Sequence, residues 1–316
     1  MTLVVTGASG FVGTHLCQAL QQRGMAYRAV VRTAAASAQT PHTMCLPSID
    51  AHTDWTQVLQ GASTVVHLAA RVHQVVDSSA DPLQAFRATN LHSTVQLARS
   101  AQQMGVRRFI FVSTVKVMGE QTAPGRPFRA SDPAQPQDAY ATSKYEAEQE
   151  LKALTAGSTM ELVIVRPPLV YGPGVRANFA SLVRAVARGL PLPLGRVHNQ
   201  RSLVGIDNLV DLLLLCTQHP RAAGQTLLVS DGQDVSTAGL VQQIADALGR
   251  PARLLPVPLP WLRLAGRLTG RDAAIQRLCS SLQVDISATC QNLGWTPPVS
   301  VAEGLRRAVV SPGAAP

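Results

Sequence analysis

The sequence predicts an α/β protein: a doubly wound parallel sheet carrying a smaller C-terminal lobe. Three observations predict it. Short apolar runs at 3–5, 29–31, 64–67, 108–113, 162–165 and 226–230 read as buried parallel strands. Helical patterns near 11–23, 54–60, 82–104, 139–156 and 175–189 alternate with them, and such alternation calls for helices on both faces of the sheet. A glycine-rich turn joins the first strand to the first helix.

That turn reads Thr6-Gly7-Ala8-Ser9-Gly10-Phe11-Val12-Gly13, with helix expected from His15 to Gln22. Glycines permit a tight turn and close backbone approach to a pyrophosphate, which then meets the positive end of the helix. Strand, glycine turn and helix in this order read as the start of a dinucleotide-binding Rossmann unit, although Gly-x-x-Gly-x-x-Gly departs from the commonest spacing. The alternative is a loop that only packs helix on strand. The second strand ends in Val31-Arg32-Thr33 with no acid. An acid there would bind the ribose 2′-hydroxyl of NAD, whereas an arginine accommodates the 2′-phosphate of NADP. Arg32, assisted by Ser37, therefore favours NADP(H), with NAD(H) as the alternative; an ordinary surface arginine is the simpler explanation.

Tyr140 and Lys144 stand four apart in Ala139-Tyr140-Ala141-Thr142-Ser143-Lys144-Tyr145. In a helix both side chains share one face. An ammonium beside a phenol is expected to lower its pKa from about 10, and such a phenol can exchange a proton with a carbonyl or carbinol oxygen. Thr114 ends a strand 26 residues earlier, where its hydroxyl could stabilise charge on the reacting oxygen or simply fill the strand. Lys116 has no evident role beyond reaching substrate or surface.

These segments resemble the extended short-chain dehydrogenase/reductase family of nucleotide-sugar epimerases, dehydratases and reductases. The resemblance runs through the glycine turn, His67-Leu68-Ala69-Ala70, Asn90, Phe111-Val112-Ser113-Thr114, Tyr140/Lys144, Arg166-Pro167-Pro168-Leu169-Val170-Tyr171-Gly172, Arg201-Ser202-Leu203 and Leu293-Gly294-Trp295. It implies catalytic roles for Thr114, Tyr140 and Lys144. It implies coenzyme contacts from Gly7, Ser9, Gly10, Phe11, Val12, Gly13, Arg32, Leu68, Ala69, Ala70, Asn90, Tyr140, Lys144 and Pro167. It implies substrate contacts from Thr114, Asn178, Arg201 and Arg277, the arginines on the diphosphate and nucleoside. Asn90 is expected to hold a buried helix and line the site. Where the family has an Asp beside the adenine this chain has Ser48-Ile49, with Asp50 one or two places off. Within the family, His67–His73, Val115–Glu120 and His198–Ser202 look most like bacterial UDP-4-keto-6-deoxy-N-acetylglucosamine 4-reductases.

Composition excludes several other classes. The charge of +9 is carried by scattered residues, nearly all arginine, and aromatic content is only 4%, so no base-stacking nucleic-acid platform is expected. The five cysteines, Cys17, Cys45, Cys216, Cys279 and Cys290, show no metal spacing and read as reduced thiols. No metal is expected. Met1 runs into the first strand and no apolar run reaches membrane-spanning length, so a cytoplasmic protein without a leader is expected. Residues 256–269 are basic and apolar around Trp261; they read as packing within the small lobe in preference to a membrane-surface helix.

The expected division is a dinucleotide-binding domain over 1–166, with 203–230 returning to it. A substrate lobe covers 167–202 and 231–311, and 312–316 form a disordered tail. The expected activity is NADPH-dependent reduction of a UDP-linked 4-keto-6-deoxyhexosamine, the 4-keto carbon being reduced while Tyr140 protonates its oxygen, for surface polysaccharide synthesis. The alternatives are a UDP-hexose 4-epimerase with tightly bound NAD and a non-catalytic dinucleotide-binding scaffold. A homodimer is expected through Leu91, Val95 and Leu97 on one helix and Ala147, Leu151 and Leu154 on another, packed across a two-fold axis.

Overall fold

The β-branched and aromatic runs pair into one parallel sheet in the computed structural model, which describes residues 2–33, 42–72, 81–123 and 125–310. The chain begins β1 (Thr2–Thr6), α1 (Phe11–Gln22), β2 (Tyr27–Val31), β3 (Thr43–Cys45), the single turn α2 (Thr56–Leu59) and β4 (Ala62–His67). Next come α3 (Pro82–Arg87), a π-turn over Ala88–His92, α4 (Ser93–Gln103), β5 (Arg108–Val112), a 3-10 turn at Val115–Met118, α5 (Ala139–Thr155) and β6 (Glu161–Arg166). The remainder is β7 (Leu169–Tyr171), α6 (Ala177–Ala187), β8 (Leu203–Gly205), α7 (Ile206–Gln218), β9 (Thr226–Leu228), α8 (Thr237–Ala247), α9 (Leu259–Leu268), α10 (Asp272–Cys279), α11 (Ser287–Leu293) and α12 (Val301–Val310).

The main sheet runs β3-β2-β1-β4-β5-β6-β9 with each neighbouring pair parallel. This is the Rossmann arrangement. All strands therefore end on one edge, and the chain changes direction between β1 and β4, where such sheets bind ligands. One apolar core lies under α1 and α7 (Leu16, Leu20, Leu209, Leu213), and a second under α4 and α5 (Leu97, Ala101, Ala147, Leu151). A third joins α6, α8 and α12 beside the small β7–β8 sheet (Phe179, Ile244, Leu305). A polar hub anchors that small sheet. Tyr171 Oη donates to Asp231 at 2.7 Å, and the same carboxylate accepts from Gly205 N and Asn208 Nδ2.

The helix expected over 82–104 is not continuous. A π-turn interrupts it at Ala88–His92 and buries Asn90; one extra residue in the turn re-aims a side chain that regular winding would leave elsewhere. Strands β3 and β7 went unpredicted, because three residues carry no readable period, whereas the strand and helix expected over 203–218 are β8 and α7.

The dimer seam expected from apolar stripes needs correction. Leu97, Ala147 and Leu151 are completely buried within this chain, and Val95 nearly so. Leu91 and Leu154 pack against the core that Leu97, Ala147 and Leu151 build. The outward surface of α3 and α5 instead presents Gln84, Arg87, Tyr145, Glu146 and Gln149 around Leu91.

Glu148 on α5 and Arg166 at the end of β6 form a buried two-pronged ion pair, with Arg166 Nε 3.0 Å from Glu148 Oε1. Removing one partner leaves the other charge buried and unpaired, which costs about 3–5 kcal/mol. Glu148→Ala is therefore expected to lower the melting temperature by about 5–8 °C, since an unfolding entropy of about 2.1 cal/mol/K per residue makes 1 kcal/mol worth about 1.5 °C in a chain of this size. Thermal unfolding followed by circular dichroism tests this; a shift within two degrees would refute it.

Candidate active site

The glycine turn leaves β1 at the switch point. Gly7 has φ +68°, a left-handed conformation natural to glycine. A Cβ at Gly7 would lie 2.7 Å from Ala69 N, and one at Gly13 only 2.2 Å from Gly7 O. The three segments thus touch backbone to backbone. Gly10 caps α1 without a side-chain hydrogen bond, and no acid stands in the first turn. Among the described residues the amides of Phe11 and Val12 have no backbone partner outside the helix, as helix geometry requires of a first turn. Ser9 and Gly10 are exposed, Phe11 and Val12 half-buried. An anion could sit here on free N–H groups at a helix start.

Behind the turn runs an unbroken polar chain. Thr94 Oγ1 donates to Asn90 O at 2.8 Å, so toward His67 Nε2, 2.9 Å away, it can only accept. His67 therefore carries its proton on Nε2, and Nδ1 accepts from Thr6 Oγ1 at 2.6 Å. Burial, with Lys144 nearby, pushes His67 down to about 3, which keeps it neutral. Asn90 continues the chain. Its Oδ1 accepts from Arg71 N at 2.8 Å, and its Nδ2 donates to Arg71 O and to Ser143 Oγ, both at 3.0 Å. Ser143 Oγ in turn donates to Tyr140 O at 2.8 Å. The coenzyme contact expected of Asn90 is thereby corrected: the side chain is fully buried and spent on Arg71 and Ser143. It holds Leu68–Arg71 against α5.

Asp138 starts α5 by accepting from Ala141 N at 2.6 Å. One turn in, Tyr140 and Lys144 share a face as their spacing requires. The Tyr140 phenol is half-buried beside Phe86, and no hydrogen bond to its oxygen occurs among the described residues. Lys144 is 1% exposed. Its Nζ lies 3.9 Å from the centre of the Phe111 ring, and it likewise has no hydrogen bond among the described residues. Electrostatics correct one expectation. Burial, reinforced by Asp138, pushes Tyr140 up to about 12, while burial pulls Lys144 down to about 7 against the pull of Glu148. Desolvation outweighs mutual attraction here, so the protein alone holds Tyr140 as a neutral phenol.

Thr114 ends the loop after β5. It is nearly buried and accepts from Lys116 N at 3.3 Å. Neighbouring Ser113, just past β5, has a buried hydroxyl with no partner among the described residues. Lys116 finds a role: its ammonium bridges Asp138 and Glu120 at 2.7 Å each. Burial alone would lower it, but the two carboxylates outweigh that and hold it raised. It thus screens the charge that opposes ionisation of Tyr140.

Other predicted residues scatter. Pro167 is buried, and its carbonyl accepts from Val115 N. Arg32 lies just past β2, exposed and without a hydrogen bond or ion pair among the described residues; Ser37 lies outside them, as do His73 and 312–316. Asp50 accepts from its own loop, Ser48, His52 and Thr53. Arg201 Nη1 donates to Arg277 O at 2.8 Å and Ser280 O at 3.1 Å, so part of its fork is committed. Burial lowers its pKa while Glu120 raises it, which puts it in the field of the Lys116 cluster. Arg277 itself is exposed and turned along its own helix toward Ala273 O, and Asn178 is exposed on α6. No group of His, Cys, Asp and Glu suited to a metal occurs among the described residues.

A coenzyme of two nucleotides fits these features on three counts: a cradle that a Cβ would fill, an uncapped helix start, and a buried ammonium with no hydrogen bond among the described residues. Comparison with known proteins agrees. The sequence profile of the NAD dependent epimerase/dehydratase family matches residues 3–230. A UDP-glucose 4-epimerase of Vibrio cholerae is 47% identical over 97% of this chain and 94% of its own. The solved structure of MoeE5 in complex with UDP-glucose and NAD is 26% identical, with TM-score 0.76 over 98% of this chain and 97% of that one. A Bacillus cereus UDP-glucuronic acid 4-epimerase in complex with NAD, at 23% identity and TM-score 0.76 over 97% of each chain, shares the fold.

Proposed function

The chain belongs to the NAD dependent epimerase/dehydratase family, and on that premise we propose that it inverts carbon 4 of a UDP-hexose. The observation that carries this reading is the Tyr140–Lys144 helix tied through Ser143 and Asn90 to the Leu68–Arg71 segment that packs on the glycine cradle, in a chain 47% identical to a UDP-glucose 4-epimerase. The narrower expectation of a 4-keto-sugar reductase gives way to what was its alternative. The NADP preference expected of Arg32, exposed past β2 and without a partner among the described residues, finds no support in the similar solved structures, which hold NAD, and we take NAD as the coenzyme.

When bound, the nicotinamide would supply a hydride acceptor for carbon 4 and then the donor that returns it to the opposite face. The chain's residues handle the proton and the position. Tyr140 removes the proton from the 4-hydroxyl and later restores it. Lys144 holds the phenol and its charge, and the Thr114 hydroxyl bonds the reacting oxygen. The amides of Phe11 and Val12 would hold the pyrophosphate. Leu68, Ala69 and Ala70 would line its floor. Arg201 offers its remaining donors to the diphosphate of the sugar nucleotide. Net oxidation is zero, so no coenzyme need be consumed.

The deciding experiment offers the purified enzyme UDP-glucose or UDP-N-acetylglucosamine without added coenzyme. Formation of the corresponding galacto product to equilibrium is expected, together with release of NAD on denaturation. No epimer under these conditions, with consumption of NADPH when a UDP-4-keto-6-deoxyhexosamine is supplied, would replace this reading by the reductase.

A further inference from the structure

The hairpin α9–α10 buries little of what its sequence offers. Leu262 and Gly266 face the lobe, and Gly266 permits close packing: a Cβ there would come 2.9 Å from Ile275 of α10. Leu259, Ile275 and Cys279 pack against the same core, while three large apolar residues of α9 turn outward. Trp261 is 66% exposed, Leu264 46% and Leu268 80%. Their spacing of i, i+3 and i+7 aligns them on one helical face, and Leu255 and Leu278 are further exposed apolar side chains within 250–279. The lobe packing expected of residues 256–269 thus accounts for one face of α9 only.

Charge says what fits that second face. Residues 250–279 hold six arginines, Arg250, Arg253, Arg263, Arg267, Arg271 and Arg277, against the single acid Asp272. All six arginines are exposed. A second copy of this hairpin would bring the same positive charge against itself across a two-fold axis, which opposes pairing. An anionic bilayer surface offers the complement: phosphates for the arginines and an interfacial layer for Trp and Leu. No helix among the described residues is long and apolar enough to cross a membrane, so contact would be lateral.

We infer that the α9–α10 hairpin is a docking element for an anionic phospholipid surface, with Trp261, Leu264 and Leu268 entering the interface and Arg263 and Arg267 reaching headgroup phosphates. The hairpin is tied to the substrate side of the site. The carbonyls of Arg277 and Ser280 accept from Arg201, and those of Leu278 and Ser280 accept from Asn199. Docking would therefore hold the Arg201 side of the cleft close to the headgroups.

Trp55 and Trp295 are 1% and 4% exposed, so Trp261 is the tryptophan whose emission can respond to lipid. The test mixes the full chain with vesicles of phosphatidylcholine alone or with phosphatidylglycerol. Co-sedimentation and a blue shift of emission are expected only with the anionic vesicles, weakening as salt rises. Trp261→Ser/Leu264→Ser/Leu268→Ser should reduce partitioning about tenfold or more, and Arg263→Glu/Arg267→Glu about tenfold or more at low salt. Both sets of positions are exposed, so the melting temperature should hold, and the charge variant reads the surface independently of the apolar one. Failure to sediment at low salt, equal binding to uncharged vesicles, or wild-type binding by both variants would overturn the inference. So would an oligomer that the triple-serine variant dissociates in light scattering, because a second copy would then cover this face.

Discussion

Tyr140→Phe is expected to lower turnover by about 10²–10⁴-fold, the usual worth of a positioned proton-transfer group, with little change in sugar-nucleotide affinity. The substitution removes one oxygen and leaves the ring packed against Phe86. That oxygen is unusually dependent on its surroundings. Burial and Asp138 hold the phenol up at about 12, so at neutral pH the protein alone leaves almost none of it ionised. As an acid it is ready; as a base it needs positive charge supplied close by. Lys144 is the protein's nearest source, and burial brings its pKa down to about 7, so that it is charged below that pH and loses charge as the pH rises through it. Lys144→Met should accordingly be about as damaging as Tyr140→Phe and shift the pH at which activity appears upward. Steady-state rates across pH, with substrate affinity measured separately by calorimetry, test both. A Tyr140→Phe enzyme turning over near the wild-type rate would remove the phenol from the mechanism.

Gly13→Ala is expected to weaken NAD binding by about five- to a hundredfold and to destabilise the fold. The new Cβ would sit 2.2 Å from Gly7 O and 2.7 Å from Ala8 Cα. Both are backbone atoms, and neither can swing aside, so α1 must move off β1 or the turn must open. Overpacking of this kind costs about 1–3 kcal/mol, and 1.4 kcal/mol is a factor of ten in affinity. Gly10→Ala is the internal comparison. Its Cβ would meet only Gly7 O, at 3.1 Å, on a backbone with φ −77° that alanine accepts, and it should bind NAD within a few-fold of wild type. Isothermal titration of the coenzyme-stripped protein separates the two, and equal binding by the Gly13 variant would show that the cradle does not hold the pyrophosphate.

The sheet was legible because each long strand is a contiguous β-branched or aromatic run, as in Leu162–Val165, and a fully buried parallel strand has no polar face to confuse the pattern. Gly7, Gly13, Tyr140 and Lys144 were legible because local geometry fixes them: a turn needs glycine, and a helix puts i and i+4 together. What escaped depends on tertiary packing. Asn90 in a π-turn cannot be told from Asn in a helix by its neighbours. The outward aim of Leu264 and Leu268, and the inward aim of Leu97 and Leu151, both look like apolar stripes until the partners are known. Lys116 seemed idle because Asp138, the carboxylate it screens, lies 22 residues away. Arg277 matched by spacing alone, and its side chain turns elsewhere.

The hydrogen-bonded chain from Thr6 through His67, Thr94 and Asn90 to Ser143 has a thermodynamic consequence. Leu68–Arg71 is irregular in conformation, yet Ala69 N and Arg71 N are both committed to side chains within that chain. The floor of the cleft is thus ordered before any ligand arrives. Ordering entropy that a mobile loop would surrender on association has already been surrendered on folding, and more of the contact energy remains as residence time. An enzyme that hands the same hydride back in every cycle profits from slow coenzyme departure, whereas one that must exchange its coenzyme each turnover is slowed by it. Prior order beneath the pyrophosphate therefore suits a closed redox cycle.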